Sequence, residues 1–134
     1  MVSPFEIEPM SKEHQTVLIV EDNPALAESM SFALSTFGWK VAGPVNSVDE
    51  ALAAVRDVIF DVAVLDVDLG RETSMPVADA LRDARIPFVF LTGYEDDAGI
   101  PPEFKDATCF TKPMVPEALV ETLKKLVEKS LSDH

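Results

Sequence analysis

Four short apolar runs in this chain end on residues that can do chemistry. TVLIV ends at Glu21-Asp22, DVAVL at Asp66, the run over residues 87–91 at Thr92, and the run over residues 107–111 at Lys112. If the sheet order brings these four runs side by side, their polar ends converge on one pocket, because an open parallel α/β sheet binds ligands beyond the carboxyl ends of its strands. Three carboxylates crowded there repel one another and push a pKa upward unless a cation intervenes. A hard divalent ion such as Mg²⁺, which takes oxygen ligands and keeps several waters, is the simplest remedy. The Lys112 ammonium and the Thr92 hydroxyl then suit the remaining oxygens of a tetrahedral anion, one as a charge and the other as a donor. The set describes a phosphoryl-accepting site with an aspartate nucleophile. Two other phosphate-handling designs fail on spacing: Glu-Asp-Asn-Pro rather than G-x-G-x-x-G follows the first run, and no G-x-x-x-x-G-K-[ST] occurs.

The elements that must position these ends alternate in type. After TVLIV, Asn23 caps a helix with Pro24 at its first position. Leu26, Met30, Ala33 and Phe37 follow at helical spacing, and Gly38 supplies the stop. Residues 40–43 make a short strand weakened by Gly43-Pro44, and Ser47 with Glu50 forms a capping-box pattern before Val48, Ala51, Leu52 and Val55. DVAVLD is an almost continuous apolar strand; the loop VDLGRETSM leads from it to a helix at Pro76 carrying Val77, Leu81 and Ala84. Between the strands over 87–91 and 107–111, Gly99 and Pro101-Pro102 restrict residues 95–106 to a turn or two of helix. The last helix runs over about 116–130, with Leu119, Leu123, Leu126 and Val127 on its buried face. Strands alternating with helices, apolar throughout in the middle strands, predict an α/β fold with a five-stranded parallel sheet covered on both sides.

Composition narrows the partners. The 134 residues carry 11 Lys+Arg against 24 Asp+Glu, a formal charge of −13, and 47% are hydrophobic. That balance fits one packed domain and argues against nucleic acid as a direct partner, since phosphates repel such a surface. Lys124, Lys125 and Lys129 are read as a solvated helix face. Cys109 is the single cysteine, so neither an intramolecular disulfide nor a cysteine-based zinc site can form. The opening MVSPFEIEPMSKEH has no basic n-region and no apolar h-region, and reads as a loosely attached extension rather than a secretory signal. No apolar stretch nears the roughly 18 residues that span a bilayer, so no membrane insertion and a cytoplasmic location are expected.

In this order and with these separations, VLIVED, VAVLD, FLTG and FTKP resemble the receiver domain of two-component response regulators over residues 16–130. The resemblance implies a doubly wound, flavodoxin-like (receiver) fold with a shortened fourth helix, a domain over 15–131, an extension over 1–14 and a tail over 132–134. It makes Asp66 the phosphoacceptor, Asp22 a direct Mg²⁺ ligand with Glu21 alongside through water, and the backbone carbonyl of Asp68 a third protein ligand. The Asp68 side chain is either simply solvated or tunes the phosphoryl lifetime. Lys112 is expected to contact the phosphoryl oxygens, and Thr92 to move and hydrogen-bond the new group. Gly93 leaves that group room, and a cis Lys112-Pro113 bond aims the lysine. The donor is a sensor histidine kinase or histidine phosphotransfer protein, since His14 and His134 lie outside the regular core. With the sequence ending at residue 134, output is expected through a downstream protein partner or a phosphorelay.

Two departures qualify the resemblance. Where receivers carry an aromatic switch, three residues before the lysine, this chain has Cys109, read as a small buried hydrophobe, and Phe110 points to the opposite face of the strand. The broken helix at 95–106 falls on the face most receivers use for output. Both fit a subgroup: PFVFLTGY resembles the Pro-Phe-x-Phe-Ala-Thr-Gly-Tyr signature of an alphaproteobacterial family, with Leu91 replacing the alanine. That family includes single-domain regulators and receivers linked to general stress signalling, and Tyr94 is expected to take over part of the switch. Two rivals are weighed. Asp66-Val67-Asp68 resembles the nucleophile motif of haloacid-dehalogenase-type phosphatases, but there the acidic pair comes last and a cap domain needs room. A phosphorylation-independent, receiver-like interaction module would have no use for the intact acidic residues, Thr92 and Lys112.

Overall fold

Apolar runs and capped helices alternate along the chain as β1 (Thr16–Val20), α1 (Pro24–Thr36), β2 (Lys40–Val45), α2 (Val48–Asp57), β3 (Val62–Asp66), β4 (Asp68–Leu69), β5 (Glu72–Thr73), α3 (Met75–Asp83), β6 (Phe88–Thr92), β7 (Thr108–Thr111) and α4 (Pro116–Ser132). The computed structural model describes residues 15–93, 100–104, 107–112 and 115–132. Five strands form a parallel sheet in the order β2-β1-β3-β6-β7, and β4 pairs with β5 in a separate antiparallel hairpin. This is the doubly wound, flavodoxin-like architecture that the sequence predicts.

Period-2 alternation sorts the strand side chains into two cores. Leu18, Leu65 and Phe90 pack with Ala51 of α2 and Leu81 of α3, whereas Ile19, Val64 and Leu91 pack with Met30 of α1 and Leu123 of α4. Because β1, β3 and β6 have helices on both sides, their interiors are apolar at every position, and polar residues return only where each strand leaves the core. Glu21, Asp66 and Thr92 sit at those exits and are still buried.

Local signals act largely as expected. Asn23 Oδ1 accepts from the Leu26 N–H at 3.1 Å, and Gly38 takes φ +94° just past the end of α1. Ser47 Oγ accepts from the Glu50 N–H at 3.2 Å, while the Glu50 carboxylate reaches one residue further back than a capping box requires, to the Asn46 N–H at 3.2 Å.

Four expectations need correction. The buried stripe of α1 is Ala27, Met30 and Leu34; Phe37 is the cap residue and is exposed. In α3, Ala78 rather than Ala84 is buried, because the helix ends at Asp83. The segment read as the loop VDLGRETSM contains the β4–β5 hairpin, turned at Gly70 with φ +82°, and its Glu72 carboxylate accepts from the Val48 N–H of α2 at 3.2 Å. Cys109 is exposed rather than buried. It lies on the edge strand opposite Phe90. Phe110 does face the other way, into the core with α1 and α4. Tyr94, most of 95–106 and the Lys112-Pro113 bond lie outside the described residues.

Candidate functional site

Each functional side chain is placed by the exit of its strand. The order β1-β3-β6-β7 sets the ends of all four runs side by side, and a cleft of about 800 Å³ opens there. Glu21, Asp22, Asp66, Asp68, Thr92, Gly93 and Lys112 all line it, whereas Cys109 and Phe110, at and beside the position of the usual switch, do not. Gly70 and Thr73 of the hairpin also line it. They escaped notice in the sequence because their role depends on how the hairpin folds back over the cleft.

Lys112 is the hub. Its Nζ lies 3.0 Å from Asp66 Oδ2 and 3.2 Å from Glu21 Oε1, and its backbone N–H donates to the Thr92 carbonyl at 2.8 Å. Burial acts to lower the pKa of this ammonium, but the hydrogen bond and charge of Asp66, followed by Glu21, outweigh it and hold the lysine above its ordinary value. Glu21 is shifted the other way. Burial pushes its carboxyl up from 4.5 to about 7; the Asn23 N–H, at 3.1 Å from Oε2, opposes this, Asp66 adds to it, and Lys112 opposes it.

Three carboxylates thus face one ammonium. One oxygen each from Glu21, Asp22 and Asp66 lies within 4.8 Å of the others, and Glu21 Oε1, although paired with Lys112, has no aligned hydrogen bond. A Cβ at Gly70 would come within 3.4 Å of Asp22 Oδ2, so the glycine keeps that side of the cluster open. An all-oxygen, acidic, under-neutralised pocket fits a hard divalent cation such as Mg²⁺. Asp68 is exposed; its N–H points to Asp66 Oδ1 at 3.4 Å and its own Oδ1 accepts from the Gly70 N–H at 3.2 Å. At the mouth, a Cβ at Gly93 would meet no described atom within 4 Å.

A doubly wound sheet with an acidic cluster and a lysine at its carboxyl edge defines a receiver-type domain. The chain belongs to the response regulator receiver domain family, whose model matches residues 17–124. It is 37% identical over 123 residues to the probable transcriptional regulatory protein TcrX of Mycobacterium tuberculosis, covering 86% of this chain and 50% of that one. It is 33% identical over 92 residues to the DNA-binding response regulator MtrA of Mycolicibacterium smegmatis, covering 68% of this chain and 40% of that one. The chain therefore spans about half the length, or less, of these curated relatives. Among solved structures, SdrG from Sphingomonas melonis Fr1 is 39% identical with a TM-score of 0.74, covering 86% of this chain and 98% of that one. A CheY-like receiver domain protein from Methanospirillum hungatei JF-1 reaches a TM-score of 0.79 at 22% identity, covering 90% and 99%. Receiver domains are regulatory phosphoacceptors rather than conventional enzymes, bind Mg²⁺ through acidic residues and are served by histidine kinases. Among the described residues no helix is long and apolar enough to cross a membrane.

Proposed function

We propose that the domain over residues 15–131 accepts a phosphoryl group on Asp66 from a histidine kinase or histidine phosphotransfer protein, and signals by protein contact or phosphorelay. The observation that carries this reading is the Asp66 Oδ2–Lys112 Nζ pair at 3.0 Å, set in a cleft with two further carboxylates. In the transfer, an Asp66 carboxylate oxygen forms the new O–P bond as the N–P bond of the donor histidine breaks and its ring nitrogen keeps the electron pair. Lys112 passes from the carboxylate to a phosphoryl oxygen, and the Thr92 hydroxyl supplies a second donor. Glu21, Asp22, Asp66 and the Asp68 carbonyl would hold Mg²⁺, whose charge offsets the repulsion between an incoming phosphoryl group and these carboxylates.

The subgroup is part of the same reading. PFVFLTGY supports a receiver of the alphaproteobacterial type working in general stress signalling, and the chain is 39% identical to SdrG from Sphingomonas melonis Fr1. Tyr94 then carries part of the switch that Cys109 cannot, since a small thiol has no ring to swing between exposed and buried positions. The contacts of this domain are with proteins rather than nucleic acid, in keeping with a charge of −13.

The test is phosphorylation by a small-molecule phosphoryl donor with Mg²⁺, read by intact mass, on the wild type, Asp66→Ala and Lys112→Ala. One hydroxylamine-labile phosphoryl group is expected on the wild type and none on Asp66→Ala; label retained on Asp66→Ala would overturn the assignment. Amide shifts with beryllofluoride are expected at Thr92 and Lys112, and their reach beyond Thr92 should shrink in Tyr94→Ala. An unchanged reach would remove Tyr94 from the switch.

A further inference from the structure

At the end of the sheet opposite the carboxylates, the amino ends of β6 and β7 and the carboxyl ends of α3 and α4 enclose an open groove of about 490 Å³. Its floor is apolar, with half-buried Ile86, Phe88 and Leu126; its rim carries exposed Arg82, Arg85 and Lys129, and no carboxylate among the described residues lines it. In a chain with 11 basic residues and a charge of −13, a rim of three basic side chains is a local reversal of sign; Arg82 is held by Asp79 at 3.1 Å, which leaves Arg85 and Lys129 as the two without an ion pair among the described residues. Helix dipoles account for part of this, because cations are favoured where helices end, and both Arg82 and Lys129 lie in last turns.

Arg85 is different. It follows the end of α3 at φ +62°, in the left-handed region where a helix stop normally uses glycine. The stop itself is regular: the Arg85 N–H donates to the Arg82 carbonyl at 3.0 Å and the Ile86 N–H to the Leu81 carbonyl at 2.9 Å. Glycine would make the same bonds without the Cβ penalty, so folding alone does not select an arginine at this position.

We propose that this groove docks an acidic segment of a partner protein, with an apolar side chain on the Ile86–Phe88–Leu126 floor and carboxylates on Arg85 and Lys129. Charge complementarity selects the occupant. An acidic peptide presents a few carboxylates to Arg85 and Lys129, whereas a nucleic acid brings a continuous polyanion against a surface of net charge −13.

The experiment uses the full chain and a fluorescein-labelled peptide of alternating glutamate with phenylalanine and isoleucine, followed by anisotropy and by amide shifts. Saturable binding is expected, with shifts at Ile86, Thr108 and Lys129; it should fall at least tenfold in Arg85→Glu and vanish for the peptide with lysine in place of glutamate. Arg85→Gly separates the charge from the fold: it should melt higher than the wild type yet bind the peptide several-fold more weakly. Equal affinity for the wild type and Arg85→Gly, shifts confined to another face, or equally tight binding of a short DNA duplex would overturn the proposal.

Discussion

Glu21 gives the sharpest quantitative test of the site. In the folded, metal-free protein its carboxyl titrates at about 7 instead of 4.5, because it is buried and faces Asp66. Between those values the folded state holds a proton that the unfolded state has released, so stability falls as pH rises through the interval. The full penalty, ~3 kcal/mol, is present above pH 7 and absent below 4.5. Lys112 does not blur the window: its pKa is raised, so its contribution is complete below the ordinary lysine value of 10.5 and is lost only above it. Glu21→Gln keeps the shape and an acceptor for the Asn23 N–H while removing the titration. In urea unfolding with a chelator present, followed by the single, buried Trp39, the variant should be more stable than the wild type by ~3 kcal/mol at pH 8. The two should converge near pH 4.5. A variant less stable than the wild type at pH 8, or a difference independent of pH, would refute the electrostatic account of this carboxylate.

The cation should reverse the same penalty: adding Mg²⁺ at pH 8 should raise stability by about 3 kcal/mol at a hundred-fold excess over Kd. The effect should be smaller at pH 5, where a proton competes for Glu21, and Asp22→Asn should weaken binding roughly tenfold or more, since oxygen sites follow their ligand charge; calorimetry reads both. Gly43→Ala places a Cβ at φ +87°, 2.8 Å from the Val45 nitrogen and 3.2 Å from the Ile19 carbonyl oxygen, and should lower stability by about 2–4 kcal/mol in the same unfolding assay. Phe104→Ala removes a ring that meets Phe88 and Phe90 edge-on at 6.0 and 5.8 Å and lies under the Arg82 guanidinium at 4.8 Å. It should lower stability by about 3 kcal/mol and speed amide exchange at Ala107, whose N–H the Phe104 carbonyl holds.

What the sequence made legible follows from burial. A strand covered on both faces must be apolar throughout, so its first polar residue marks its exit, and Asp66 and Thr92 could be placed by that rule alone. The stripe of α1 was ambiguous for the opposite reason. Positions 26, 30, 33, 37 and positions 27, 30, 34 are both helical series in a helix rich in alanine, and only the packing of Ala27 and Leu34 against the sheet chooses between them. The character of Cys109 misled because cysteine as a type favours interiors, whereas its exposure depends on which elements cover an edge strand. The Lys112–Asp66 contact spans 46 residues and had no local signal. The strand order β1-β3-β6-β7, which the sequence reading took only as a condition, brings the two residues together.

Lys112 also shows how a charge change at Asp66 can leave the site. The ammonium is shared between Asp66 and Glu21, and the backbone of the same residue is bonded to the Thr92 carbonyl, so the ends of β1, β3 and β6 all meet at the exit of β7. Turning Asp66 into an acyl phosphate removes the carboxylate that Lys112 now holds and offers phosphoryl oxygens further out. Among the described residues β7 has a single sheet neighbour, β6, so no described strand on its other side resists a shift. The strand covers only about 13 Å at ordinary β rise, and Thr108 at its far end lines the Arg82–Arg85–Lys129 groove. Phe104, bonded through its carbonyl to Ala107 and stacked under Arg82, connects that end of the strand to the rim of the groove. Site and groove are thus opposite ends of one edge strand. The groove's affinity for an acidic segment can differ between the two states of Asp66 only to the extent that Lys112 moves β7 against this aromatic anchor.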